Sequence, residues 1–95
     1  MMRSFAQELG PRRITVNAIC PGWVKTEQSF RSITEMAGHT GRSVDDITNE
    51  LLRVQAIDGH LVPEDMVSGY LFLASDLARD VTGQSLHIDR GELMY

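Results

Sequence analysis

The sequence predicts an α/β fold built on a parallel sheet that these 95 residues do not complete by themselves. Residues 14–20, Ile-Thr-Val-Asn-Ala-Ile-Cys, form a near-continuous apolar and β-branched run, the kind found where helices cover both faces of a parallel sheet. The run ends in Pro21-Gly22-Trp23-Val24-Lys25-Thr26. A Pro-Gly turn followed by a hydroxyl suits the carboxyl edge at which open α/β sheets bind ligands. The order helix, strand, helical excursion, helix, strand calls for two parallel strands joined by a right-handed crossover. Two strands are too few to cover such apolar faces, so further parallel strands are expected, upstream in a longer chain or in another copy.

Taken in order, Met2, Phe5, Ala6 and Leu9 recur at helical spacing over residues 2–9, and Gly10-Pro11 supplies a stop. No capping residue precedes this helix, so its first turn would leave backbone N–H groups unpaired. A longer helix cut short is the expectation. Residues 14–20 are the strand. Its one strongly polar side chain, Asn17, reads as a buried amide bonding neighbouring backbone, with a functional role as the alternative.

Residues 26–61 are the least regular part. Glu27 to Ala37 and Val44 to Ile57 are each expected to be helical, separated by Gly38-His39-Thr40-Gly41, with Ser43 or Asp45 capping the second. A long excursion between core elements is often a lid or binding loop, and this one should overhang the carboxyl edge of the sheet. Pro63-Glu64-Asp65 opens the next helix: proline suits its first position and two acids favour its dipole. Met66, Val67, Tyr70, Leu71, Ala74 and Leu77 make its expected apolar stripe, and Gly69 suggests close packing against another backbone. Thr82-Gly83-Gln84 reads as a turn, and Ser85 to Ile88 as a short strand ended by Asp89-Arg90-Gly91.

Composition excludes several classes of function. The net charge is −4, with acidic and basic residues spread along the chain, whereas a nucleic-acid surface needs clustered Lys and Arg. No apolar run reaches the roughly 18 residues of a membrane span, and Met1 to Phe5 lack the apolar core of a secretory signal. One cysteine, Cys20, excludes an internal disulfide, and a cytoplasmic setting is expected. Cys20 reads as a packed residue rather than a nucleophile. His39, His60 and His87 are too scattered to suggest a metal site.

The segments Phe5-Ala6-Gln7-Glu8-Leu9-Gly10, Ile14 to Gly22, Pro63-Glu64-Asp65, Phe72-Leu73-Ala74-Ser75-Asp76 and Val81-Thr82-Gly83-Gln84 together resemble the latter part of short-chain dehydrogenase/reductases. The resemblance runs the whole length of the chain and is weakest over residues 27–60. It implies that residues 1–95 are the C-terminal segment of one Rossmann-type, doubly wound domain. The activity implied is NAD- or NADP-dependent hydride transfer to or from a small alcohol or carbonyl substrate, commonly by a homo-oligomer. By resemblance, Pro21 and Gly22 would shape the pocket wall beside the nicotinamide. The Val24 backbone would bond the carboxamide, and the Thr26 hydroxyl would reach the carboxamide or the diphosphate. A glycine lets a flat ring approach the backbone closely, and an amide with a hydroxyl can fix which ring face is presented. Residues 27–60 would be the substrate lid. Trp23 lines the substrate pocket or covers the sheet, and the sequence leaves both open.

The departures are as informative. The family's glycine-rich loop and its Ser and Tyr-x-x-x-Lys catalytic residues are missing; the Tyr/Lys pair would fall just upstream of Met1. The only lysine is Lys25, so no catalytic residue is expected within the chain. Arg90 stands where the family usually has the middle residue of Asp-Gly-Gly, which puts the local turn in question because glycine tolerates positive φ. The leading expectation is therefore the C-terminal segment of such an enzyme, inactive alone. The alternative is a non-catalytic fragment or oligomerisation module pairing with intact relatives through its exposed strand edges.

Overall fold

The structure is a computed structural model and describes residues 1–93. Helix α1 (Met2–Leu9) leads through a 3-10 turn at Gly10–Arg12 towards strand β1 (Ala18–Pro21). Helices α2 (Glu27–Thr40) and α3 (Val44–Arg53) form the excursion. A 3-10 turn at Pro63–Met66 then runs into α4 (Val67–Ala74), and a further turn at Asp76–Ala78 precedes strand β2 (Ser85–Ile88). The strands are parallel, with Ala18 opposite Ser85 and Pro21 opposite Ile88. This is the α/β strand–helix–strand order that the sequence predicts.

The local details differ in instructive ways. The α1 stop is not a left-handed glycine: Gly10 stays right-handed, and Arg13 takes φ 60 to end the 3-10 turn. The strand begins at Ala18 rather than Ile14, because its neighbour β2 starts only at Ser85. Residues before Ala18 are tied down by the 81–84 turn instead. The Thr82 Oγ1 accepts from the Val16 N–H at 3.0 Å, and the Gly83 N–H donates to Val16 O. The Asn17 amide donates to Val81 O at 2.9 Å and accepts from the Gln84 N–H at 3.1 Å. Asn17 thus has the structural role expected of it.

In the excursion, α2 continues through Gly38 and stops at Gly41, which is left-handed (φ 72) and donates its N–H to Ala37 O. Ser43 caps α3, its hydroxyl accepting from the Asp46 N–H, and α3 ends at Arg53, short of Ile57. Ile33 and Ile47 are buried and form the small core of the hairpin.

Helix α4 turns a face to the sheet other than the stripe read from the sequence. Gly69 is the buried position, and a Cβ there would lie 2.5 Å from Ile88 Cδ1 and 3.6 Å from both Ile19 Cδ1 and Leu86 Cδ2. The close approach is thus to sheet side chains, not to another backbone. Tyr70 and Leu71 face outward, and Leu77 beyond the helix is 83% exposed. Because this helix is apolar nearly all round, periodicity alone could not distinguish its two faces. An open groove of about 250 Å³ runs between Thr15, Asn17 and Ile19 on one side and Tyr70, Leu73 and Ala74 on the other. No helix among the described residues is long and apolar enough to cross a membrane, and none of their His, Cys, Asp or Glu side chains cluster as a metal site would require.

Candidate functional site

The turn from Pro21 to Thr26 leaves the carboxyl end of β1 and lies between two other segments of the chain. On one side is the end of β2. The Gly22 N–H donates to Ile88 O at 3.0 Å, and a Cβ on Gly22 would fall 2.6 Å from Asp89 Cβ and 2.8 Å from Asp89 Cα. Position 22 has no room for a side chain because the neighbouring backbone already occupies it. On the other side is the returning end of the excursion. Val24 pairs with Leu61 in an isolated parallel bridge, and the Lys25 N–H donates to Leu61 O at 2.7 Å. Alternate amides of extended backbone point to opposite edges, so the Val24 N–H faces away from Leu61.

Thr26 is the N-cap of α2. Its hydroxyl accepts from the Ser29 N–H at 3.1 Å, and the Ser29 hydroxyl accepts from the Thr26 N–H at 2.8 Å. This reciprocal box satisfies backbone donors at the first turn. The sequence reading overlooked it, although Thr-x-x-Ser ahead of a helix is a recognisable signal. A hydroxyl that accepts in this way still has its own proton to donate. Trp23 is half-buried and packs its ring on His60, centroids 5.5 Å apart and planes at 51°.

The excursion therefore starts and ends at the same place: Thr26 caps its first helix, and His60-Leu61 return against Trp23 and Val24. Sequence reasoning also missed the anchors of that return. Gln55 is 7% exposed, and its amide donates to Ile57 O at 3.2 Å and Gly59 O at 3.0 Å. Arg90, with φ 54, donates from Nη1 to Asp58 O at 2.6 Å. The Asp89 carboxylate, buried beside Gly22, accepts from the Gly91 N–H at 3.0 Å and the Leu93 N–H at 3.1 Å. Burial acts to raise its pKa, but these N–H groups and the nearby His87 outweigh that and hold it below the ordinary 3.8.

Chemically the turn can hold a flat polar group. Pro21, Gly22, Trp23 and Val24 carry no titratable side chain, a threonine hydroxyl is only weakly acidic, and Lys25, the turn's one ionisable residue, is exposed. A parallel pair of strands with a helical crossover, a turn at the carboxyl end of β1 and an excursion that returns to it define a segment of a Rossmann-type fold. A family model described as enoyl-(acyl carrier protein) reductase matches residues 1–92. The chain belongs to the short-chain dehydrogenase/reductase family. It is 32% identical over 94 residues to the 3-oxoacyl-[acyl-carrier-protein] reductase FabG of Rickettsia felis, covering 99% of this chain and 34% of the relative. A crystal structure of a short-chain dehydrogenase family protein from Francisella tularensis superposes with TM-score 0.88 at 29% identity, over 97% of this chain and 38% of that one. The structure of 4-hydroxyisoleucine dehydrogenase complexed with NADH aligns with TM-score 0.66 at 31% identity, over 96% and 32%. The chain thus spans about a third of the length of the proteins it matches.

Proposed function

We propose that residues 1–95 form the C-terminal segment of an NAD- or NADP-dependent oxidoreductase acting on a small alcohol or carbonyl compound. In this reading Pro21, Gly22, Val24 and Thr26 form the wall beside the nicotinamide, and residues 27–60 the substrate lid. The observation that carries it is the convergence of the β1 carboxyl end, the β2 carboxyl end and both ends of the excursion on one turn whose Val24 N–H faces away from the returning strand. The turn fits the carboxamide end of a nicotinamide: it offers a backbone donor, a threonine proton and a glycine that lets backbone pack closely. When bound, the cofactor supplies or accepts the hydride. The residues present fix its orientation, and the excursion shields the site from water. Pro21, Gly22, Val24 and Thr26 bind and orient, and the Ser, Tyr and Lys that would handle the proton belong to the part of the family fold that precedes this segment. Trp23 stands next to this wall and is placed to report on it.

The test joins this segment to the preceding two-thirds of a FabG-type relative and follows Trp23, the only tryptophan of the segment, during titration with NADH and NADPH. The fusion should melt cooperatively, and the nucleotide should quench Trp23 saturably. A cooperatively folded fusion with a Trp23 signal unmoved by either nucleotide would refute the wall.

A second reading rests on a different observation, the exposed apolar surface of α4 at Val67, Tyr70 and Leu71 together with the open groove beside it. It makes the chain a non-catalytic module that pairs with intact relatives or with copies of itself. In that case the chain would bind an intact relative, and no nucleotide would alter the complex.

A further inference from the structure

We infer that Arg90 is a positioning residue that clasps the exit of the α2–α3 excursion to the carboxyl end of β2. Its backbone occupies the left-handed region at φ 54, a conformation that disfavours every residue with a Cβ and suits glycine. An arginine there must contribute something that glycine does not. Its guanidinium reaches across 32 positions of sequence to Asp58 O at 2.6 Å, while its own carbonyl accepts the Ala56 and Ile57 N–H groups at 2.8 and 3.0 Å.

The loop it holds has no regular structure, yet its carbonyls are occupied one after another. Gln55 takes those of Ile57 and Gly59 from one side, and Arg90 takes that of Asp58 from the other. Gly59 leaves space for this arrangement, since a Cβ there would lie 3.3 Å from Arg90 Nη1. The loop delivers His60 onto Trp23 and Leu61 onto Val24 and Lys25. A side chain at the end of β2 thereby sets where the excursion lands on the turn. That this affects catalysis rests on the lid reading above; the clasp itself does not.

Glycine is the discriminating substitution, because Arg90→Gly removes the guanidinium and relieves the backbone at the same time. Hydrogen exchange on the fusion with the N-terminal part of a relative, followed residue by residue, reads the result. In Arg90→Gly the Ala56 and Ile57 amides should exchange about tenfold faster, with the Lys25 amide following, while the Gly83 amide bonded to Val16 O stays unchanged. Arg90→Lys, which keeps a donor on a stem of similar length, should fall between the two. Unchanged or slower exchange at Ala56 and Ile57 overturns the clasp, and so does an equal rise at Gly83. If the lid reading alone fails, this local pattern remains, and the substrate KM of an active enzyme carrying Arg90→Gly does not rise.

Discussion

Gly22 and Asp89 constrain each other. The atoms closest to a side chain at position 22 are the Cβ and Cα of Asp89, and neither can swing aside as the tip of a long side chain could. Gly22→Ala should therefore force the ends of β1 and β2 apart and cost about 1–3 kcal/mol, as overpacking does. A lower urea midpoint at unchanged slope in the cooperatively folding fusion checks this; an unaltered midpoint would mean that the strand ends part freely. Asp89 adds a pH dependence. Its folded pKa lies below its unfolded one, so between the two the unfolded state binds more protons and stability rises with pH. Its contribution is complete above about pH 4 and is lost as acid passes through the depressed folded value. Protection of the Gly91 and Leu93 amides should fall on acidification over that range, and Asp89→Asn should remove the dependence. Some of this chemistry was legible in the sequence. A polar Asn17 inside an apolar strand must find hydrogen bonds, and a glycine after proline at a strand end marks a turn. The partner of Arg90 was not legible, because nothing local links position 90 to a carbonyl 32 residues away.

Among the elements, the Ser43 cap could be read because its signal lies within four residues, the equally local Thr26 cap was passed over, and element ends could not be read where neighbours decide them. β1 is four residues long because β2 is. The buried face of α4 was misassigned because apolar residues surround the helix, so only the contact of Gly69 with Ile88 fixes its orientation. That contact involves the flexible tip of an isoleucine. Gly69→Ala should be close to neutral, with a shift of Ile88 offset by a gain in helix propensity of about 1 kcal/mol. At the start of α2 the cap and the proposed cofactor contact share one hydroxyl and can be separated. Thr26→Ala removes both and should cost about 1 kcal/mol of stability. Ser29→Ala weakens the capping box while leaving the Thr26 hydroxyl in place. Both variants should lower the thermal midpoint, but only Thr26→Ala should weaken nicotinamide binding in the fusion. Equal binding losses would make Thr26 a cap and nothing more.

For the whole molecule, the surface is too large for the mass. An accessible area of 7211 Å² compares with about 5,500 Å² for a folded monomer of 10.6 kDa. The radius of gyration is 16.9 Å where a compact chain of this length has about 12 Å. The shape, 55 × 24 × 24 Å, is that of a hairpin of helices projecting from a two-stranded sheet. The excess of about 1,700 Å² is near the area of a standard protein interface. It includes Tyr70, Leu71 and Leu77, apolar side chains that water would otherwise face. Two strands with one covering helix are at the lower limit of independent stability. The isolated chain should therefore unfold over a broad range of urea, with a slope below the roughly 1 kcal/mol/M of small two-state domains, and should bind a hydrophobic dye. Joined to the N-terminal part of a relative, the same residues should melt in one sharp transition, and the dye signal should fall. A sharp, dye-free and concentration-independent transition of the 95 residues alone would show that the exposed surface needs no partner. That result would favour an autonomous module over a segment of a larger sheet.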